Sequence, residues 1–244
     1  MIKDPPLLKI RRFSRTFELE SLASIQGVPL GYLVDAMDGR GALNHQIRLL
    51  EGLPEDSILF GLALTCDCGP GDNLGLFGAV AEAQPGDVIV AATDAFEGTC
   101  LTGDLLMGMA RNRKVAGLVT DGLVRDASGI KEVGLPVFCR GITPNSPVRN
   151  GPGSVGFPVV LGGVRVESGD IIAADSEGVV VIPKHQLPKV LSRIPEIQLA
   201  ESKTEDAVAK GMELLDSVKE LLESDQVVYF DENDLPKDNL NILD

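Results

Sequence analysis

Apolar positions fall into short, nearly continuous runs punctuated by glycine and proline, not into long stripes. "SILFGLALTC" (57–66), "VIVAATD" (88–94) and "VAGLVTDG" (115–122) each read as a strand buried on both faces, because no polar residue alternates through them. "LPVFCRG" (135–141) and "PVVLGGVRV" (158–166) are further strands, and "DIIAADSEGVVVIP" (170–183) predicts two strands around a D-S-E-G turn. Between them the period changes. "GPGDNLGLFGAVAEA" reads as a loop running into a helix that ends at "QPGD", and "LTGDLLMGMARNRK" carries helical spacing at Leu105, Leu106 and Met109. Residues 18–38 predict two short helices broken at Gly27 to Pro29, and 187–223 a long charged helical region. A strand, a helix and a strand in succession from 88 to 122 form a βαβ unit, so the pattern is mixed α/β with a β-rich second half.

The sequence G-D-V-I-V-A-A at 86–92 returns as G-D-I-I-A-A at 169–174. A shared need for a turn before a buried strand explains this more simply than duplication does. The last stretch, 225–244, holds six acids and one lysine and reads as an acidic tail after a domain spanning 1–224.

Composition narrows the function classes. With 244 residues and 44% hydrophobic content the chain can pack a sizeable core, and 27 glycines with 15 prolines imply many turns. A net charge of −14 opposes polyanions, which argues against nucleic acid or an anionic membrane as partner and leaves a protein or a small molecule. No run approaches the roughly 18 to 20 apolar residues of a membrane span, and "MIKDPPLLKIRRF" lacks a signal-peptide core, so the expected compartment is the cytoplasm. Of the four cysteines only Cys66 and Cys68 are close, a weak metal signal that favours structural thiols.

Candidate chemistry is reached partly by exclusion. His45 and His185 lie in polar surroundings away from any obvious nucleophile, and the lysines sit in loops and polar helix faces, so neither a catalytic triad nor a desolvated Schiff-base lysine is indicated. Carboxylates, arginine and glycine turns remain. The segment Gly103 to Leu106 opens a helix, where free N–H groups and the positive dipole end favour an anion such as a substrate carboxylate; a simple cap by Thr102 or Asp104 is the alternative. Arg125 and Asp126 follow the strand at 115–120 through a D-G turn, at the strand end where ligands of open α/β sheets bind. Asp126 offers a hard oxygen to Mg²⁺ or Mn²⁺, or else caps the helix "ASGIKEVG" with Arg125 as its surface ion-pair partner. Both sites follow strands that the βαβ reading makes neighbours, so one crevice can hold both.

The segment "GDLLMGMARNRKVAGLVTDGLVRD" resembles the D-x20-R-D signature of the RraA-like proteins, which include class II 4-hydroxy-4-methyl-2-oxoglutarate / 4-carboxy-4-hydroxy-2-oxoadipate aldolases. The likeness continues in family order through "GDN" (71–73), "PGDVIV" (85–90), "GLPVFCRGITP" (134–144) and "SGDIIAADSEGVVVIP" (168–183), and covers roughly 20–215. It implies a swivelling ββα-type layered α/β sandwich with a C-terminal helical region, assembled as a trimer or a dimer of trimers with active sites between subunits. It further implies that Asp126 ligates a divalent metal, Mg²⁺ or Mn²⁺, and that Arg125 binds the keto or enolate oxygen of pyruvate. Gly103, Asp104, Leu105 and Leu106 would surround the pyruvate carboxylate, with the backbone at Leu105 and Leu106 holding it. Asp104 would hold a metal-bound or catalytic water, aided by a C-terminal glutamate of the neighbouring subunit that matches Glu201 best and Glu205 second. The activity implied is cleavage of a 4-hydroxy-2-oxo acid to pyruvate, with oxaloacetate decarboxylation as a side activity. The family's namesake inhibits ribonuclease E, so a non-catalytic regulator of a ribonuclease E-like partner is the other reading.

Overall fold

The computed structural model describes residues 6–15, 22–54 and 58–231. In chain order the elements are β1 (Leu8–Ile10), α1 (Leu30–Ala36), β2 (Arg48–Leu49), β3 (Leu59–Asp67), α2 (Leu74–Glu82), β4 (Asp87–Ala92), β5 (Cys100–Thr102), α3 (Asp104–Asn112), β6 (Gly117–Thr120) and β7 (Leu123–Val124). There follow α4 (Ala127–Val133), β8 (Val137–Cys139), β9 (Gly141–Ile142), β10 (Gly153–Val155), β11 (Val159–Leu161), β12 (Val164–Val166), β13 (Ile171–Asp175), β14 (Gly178–Ile182), α5 (Leu187–Ala209) and α6 (Asp216–Leu222). Two compact units result, Met1–Ile197 and Gln198–Asp244. The second holds the end of α5 and α6, and residues 232–244 of the acidic tail lie outside the described residues.

The architecture is mixed α/β. A nine-stranded sheet runs in the order β1-β10-β3-β4-β6-β8-β2, with the hairpin β13–β14 joined to β3. Its centre, β3, β4, β6 and β8, is parallel. Along β4, Ile89 and Ala91 pack on the side of α2 and α3 while Val88, Val90 and Ala92 pack against the hairpin β11–β12; Leu118 and Val119 of β6 divide in the same way. Burial of both faces is why these strands read as continuous apolar runs. A third cluster joins α1, Leu187, Val190 and Ile194 of α5 to the outer face of β13–β14.

The two G-D turns stand on either side of β3. Gly86 (φ 84°) precedes β4 and Gly169 (φ 92°) precedes β13, both in the left-handed region that glycine enters without strain. The following aspartate does the same work in each: Asp87 accepts the N–H of Gln84 at 2.8 Å, and Asp170 accepts that of Glu167 at 2.8 Å. Burial pushes the Asp170 carboxyl up, whereas Asp87 is ion-paired with Arg15.

The opposite edge of β3 is shared by two antiparallel strands, β13 at Leu59–Leu62 and β10 at Cys66–Asp67. Thr65 occupies the handover. Its N–H donates to Ser168 Oγ (3.0 Å), its hydroxyl to Phe157 C=O (2.6 Å), and its C=O accepts Gly156 N–H (2.8 Å).

Some elements differ from the sequence reading. Within 18–38 only Leu30–Ala36 is α-helical; residues 22–27 form turns that seat Leu22 and Ile25 in the core, and 18–21 lie outside the described residues. The run 158–166 is not one strand but the hairpin β11–β12, because Gly162 (φ 57°) and Gly163 (φ 84°) form a two-residue turn of the kind that matches strand twist. Strands β5, β7 and β9 were invisible at two or three residues each, yet they form a parallel sheet of their own that positions the site.

Beyond β4, the loop 93–99 holds Asp94 (φ 56°) and Ala95 (φ 53°) in consecutive left-handed conformations. The buried Asp121 carboxylate fixes it by accepting Thr93 N–H (2.7 Å), Thr93 hydroxyl (3.0 Å) and Ala95 N–H (3.0 Å). Asp121→Ala orphans these donors and is expected to cost about 2–4 kcal/mol in urea unfolding. A loss under 1 kcal/mol would show that the carboxylate is dispensable to the loop.

Candidate active site

Three strands repeat one device. β4 passes through the 93–99 loop to β5 and then α3; β6 turns at Asp121–Gly122 into β7 and then α4; β8 continues into β9 and then a strap, residues 143–152. Parallel pairing in the order β5-β7-β9 brings the three exits side by side. The ladder is extended by Arg125 N–H to Thr102 C=O (2.9 Å) and Thr143 N–H to Val124 C=O (2.9 Å). Gly103, Arg125 and the strap therefore converge.

All six residues expected of the first unit, Gly103, Asp104, Leu105, Leu106, Arg125 and Asp126, line one open cleft of about 240 Å³. Glu201 and Glu205 lie on α5 within the second unit, exposed.

Asp126 occupies the N-cap position of α4 but makes no capping hydrogen bond, which removes the cap reading. Its backbone is left-handed, φ 53° and ψ 42°. Asp tolerates this conformation better than most residues, though it still costs on the order of 1 kcal/mol. The carboxylate turns to the cleft and accepts from Arg125 Nε at 3.1 Å, so the ion pair expected on a plain surface is present inside the cleft. Arg125 also donates through Nη1 to Ser146 Oγ of the strap, which fixes the guanidinium from both ends.

At the start of α3 the N-cap is Gly103, with no side-chain cap. Asp104 Oδ1 accepts Leu105 N–H at 2.7 Å, so one of the backbone donors expected for a substrate carboxylate is engaged by its neighbour. The regular ladder begins at Met107 N–H to Gly103 C=O (3.2 Å), and the first turn carries the positive end of the nine-residue helix.

Two glycines make the crossing possible. A Cβ on Gly103 would meet Asp126 Oδ2, and one on Gly129 would lie 2.5 Å from Asp104 Oδ2. Each carboxylate thus lies against a glycine of the other helix start, Asp126 on α3 and Asp104 on α4.

The sequence reading gave no role to Asn73, Phe77, Ser146 or Arg149; Asn73, Phe77 and Arg149 complete the walls, and Ser146 holds Arg125. Arg149 lies over the Phe77 ring at 3.8 Å, and its Nε donates to Asn73 Oδ1 at 3.4 Å. Asn73 also donates to Leu101 C=O at 3.3 Å, where β5 bulges. Asp72 locks the strap by accepting the N–H groups of Asn150 and Gly151 (2.8 Å for the latter). The G-D-N triplet was the only signal for this wall, and it is legible only once Asp72 is seen to hold a distant loop. Cys100 borders the cleft with its thiol pushed up by burial, and all four cysteines are free and buried, as structural thiols should be.

The chain matches the model of the RraA-like family, described as Aldolase/RraA, over residues 31–181. A Halalkalibacterium halodurans protein named "Putative 4-hydroxy-4-methyl-2-oxoglutarate aldolase" is 35% identical over 195 residues, 80% of this chain and 91% of that protein. Among solved structures, Streptomyces coelicolor RraAS2, described as an unusual member of the RNase ES inhibitor RraA protein family, is 27% identical with a TM-score of 0.67 over 79% of this chain and 99% of its own. The RNA-processing inhibitor RraA from Thermus thermophilus is 26% identical with a TM-score of 0.56 over 62% and 90%.

Alanine in place of an exposed helical glycine ordinarily stabilises by about 1 kcal/mol. Gly129→Ala is expected to destabilise instead, because the new methyl meets Asp104 Cβ at 2.7 Å as well as its carboxylate. In an Asp104→Gly background, which removes that Cβ together with the carboxylate, the ordinary gain should return. Chemical denaturation of the four proteins of this cycle measures the coupling; additive effects would mean that the two residues do not touch.

Proposed function

This chain is a member of the RraA-like family, and from that premise we propose that it is a class II pyruvate aldolase. It would cleave a 4-hydroxy-2-oxo acid of the 4-hydroxy-4-methyl-2-oxoglutarate or 4-carboxy-4-hydroxy-2-oxoadipate type, depend on Mg²⁺ or Mn²⁺, and decarboxylate oxaloacetate as a side activity. The observation that carries this reading is Asp126: a strained, uncapped carboxylate turned into a cleft beside a fixed arginine and a helix N-terminus.

The donor set fits a hard cation. Asp126 would hold it, with Asp104 facing the same cleft, both carboxylates exposed enough to leave room for water. Among the described residues no three His, Cys, Asp or Glu side chains gather, so the fit is to a cation completed by water and substrate oxygens and not to a closed structural site. When bound, such a cation supplies Lewis-acid withdrawal of charge from the keto oxygen.

The chain's own residues account for the rest. The first turn of α3 receives the substrate carboxylate against the helix dipole. Arg125, held by Asp126 and Ser146, presents its remaining N–H groups to the keto oxygen, where negative charge builds as the bond breaks. A base takes the C4 hydroxyl proton, the C3–C4 bond breaks, C4 leaves as a carbonyl, and the electron pair forms the enolate of pyruvate. Asp104 holds the water that returns a proton to C3, assisted by Glu201 from a neighbouring copy of the chain in a trimer or hexamer. Oxaloacetate losing CO₂ yields the same enolate, which is why the second activity belongs to the same site.

Regulation of a ribonuclease E-like partner is the rival role, and relatives of this chain carry that description. Docking has no need of an uncapped carboxylate, a clamped arginine and two clearing glycines in one cleft. Pyruvate release from both substrate types in the presence of Mg²⁺ or Mn²⁺ is the test. Asp126→Ala is expected to lower kcat/KM by about 100-fold or more. Absence of pyruvate, or full activity in Asp126→Ala, overturns the aldolase; capture of a basic ribonuclease partner insensitive to that substitution would then support regulation.

A further inference from the structure

Of the twelve arginines, all in the first unit, six pair with an acid among the described residues: Arg125 with Asp126, as above, and five others. Arg12 pairs with Glu82, Arg15 with Asp87, Arg140 with Glu97, Arg165 with Glu167 and Arg193 with Asp38. Arg149 is one of the other six, and it is the one of them that lines the cleft. Among the described residues no acid pairs with it, and its one described hydrogen bond runs from Nε to the neutral Asn73. It is nevertheless fixed. The strap is tied on both sides of it, at Val148 by backbone bonds to Gly71 C=O (2.8 Å) and from Asn73 N–H (3.1 Å), and at Asn150 and Gly151 by Asp72. The Phe77 ring lies under the guanidinium at 3.8 Å.

A guanidinium held over an aromatic face, with Nε occupied, keeps its two Nη groups as an edge suited to a bidentate carboxylate. That edge belongs to the same cleft as Arg125 and the first turn of α3. The cleft therefore presents a second guanidinium besides that of Arg125, with Leu105 and Met109 as exposed apolar wall.

We propose that Arg149 is a specificity-determining residue that binds the second carboxylate of a dicarboxylic 4-hydroxy-2-oxo acid, the one carried on the C4 side of the bond that breaks. This rests on the aldolase reading. The carboxylate leaves with the carbonyl product, so Arg149 bears on the choice of substrate and on aldol cleavage but not on the chemistry of the pyruvate half. Asn73, Phe77 and Asp72 act through Arg149 as positioning residues.

The test separates the two proposals. Wild-type protein and Arg149→Met are compared on a 4-hydroxy-2-oxo dicarboxylate and on the matching monocarboxylate, and for exchange of the pyruvate methyl protons with solvent. Loss of a charge-assisted pair should lower kcat/KM for the dicarboxylate by about 10- to 100-fold. The monocarboxylate and the proton exchange should change by less than about 3-fold, within what an exposed substitution ordinarily does. Arg149→Lys, which keeps the charge but not the fork, should fall between them. Equal loss on both substrates, or no loss on either, overturns the assignment to Arg149 while leaving the aldolase standing. A wild-type protein that neither cleaves nor exchanges pyruvate protons sinks the aldolase itself. A measurement free of variants guards against misfolding: 2-oxoglutarate should inhibit the wild type at least about 10-fold more tightly than 2-oxobutyrate, and equal inhibition also overturns the proposal.

Discussion

One edge of β3 has to satisfy its backbone groups against two different strands. β13 takes the first part and β10 the last, and neither reaches the middle. In the gap Ala63 exchanges hydrogen bonds with Gly169 and Asp170, and Thr65 with Ser168 and the start of the 156–157 turn. Thr65 and Ser168 are both buried, so an unmade bond here would carry the full cost of a desolvated polar group. Because this handover fixes where β10 lies, it also fixes the end of the strap that leads into β10. The strap in turn carries Ser146 and Arg149 to the cleft, so a buried threonine at the centre of the sheet governs the position of two side chains at its rim.

The cleft follows from a second constraint, that two helix starts must come close enough for each to hold the other's acid. Gly103 and Gly129 are the residues without which this approach fails. Asp126 is thereby freed from capping α4, and Arg125 is held between a carboxylate and a serine hydroxyl instead of lying on the surface. Local rules taken alone favour a capped helix and a solvated ion pair. The packing of the small sheet β5-β7-β9 reverses that preference, because it places both helix starts at the same level.

Much of this is legible in the amino-acid order. Strands β3, β4, β6, β8, β13 and β14 announce themselves as apolar runs because both their faces are covered, and α3 as a period change after a glycine. The D-x20-R-D spacing brought Asp104, Arg125 and Asp126 together before any coordinates. Strands of two or three residues leave no period to detect, so the sheet that aligns the site was hidden. Gly162–Gly163 was read through as part of a strand, although two adjacent glycines are the hairpin signal. Arg149 could not be recognised because its meaning depends on Phe77 and Asn73, more than seventy residues earlier.

The left-handed backbone of Asp126 sets stability against the proposed chemistry at a single codon. Glycine relaxes that conformation, and asparagine tolerates it without the charge, so either replacement loses nothing the fold requires. Selection for thermal resistance alone therefore runs downhill away from the carboxylate, and a library screened only for soluble, heat-stable protein would discard the residue on which the proposed chemistry depends. Members of this fold that have given up catalysis for another role are expected to show the change here first, as a quieter and better-behaved turn.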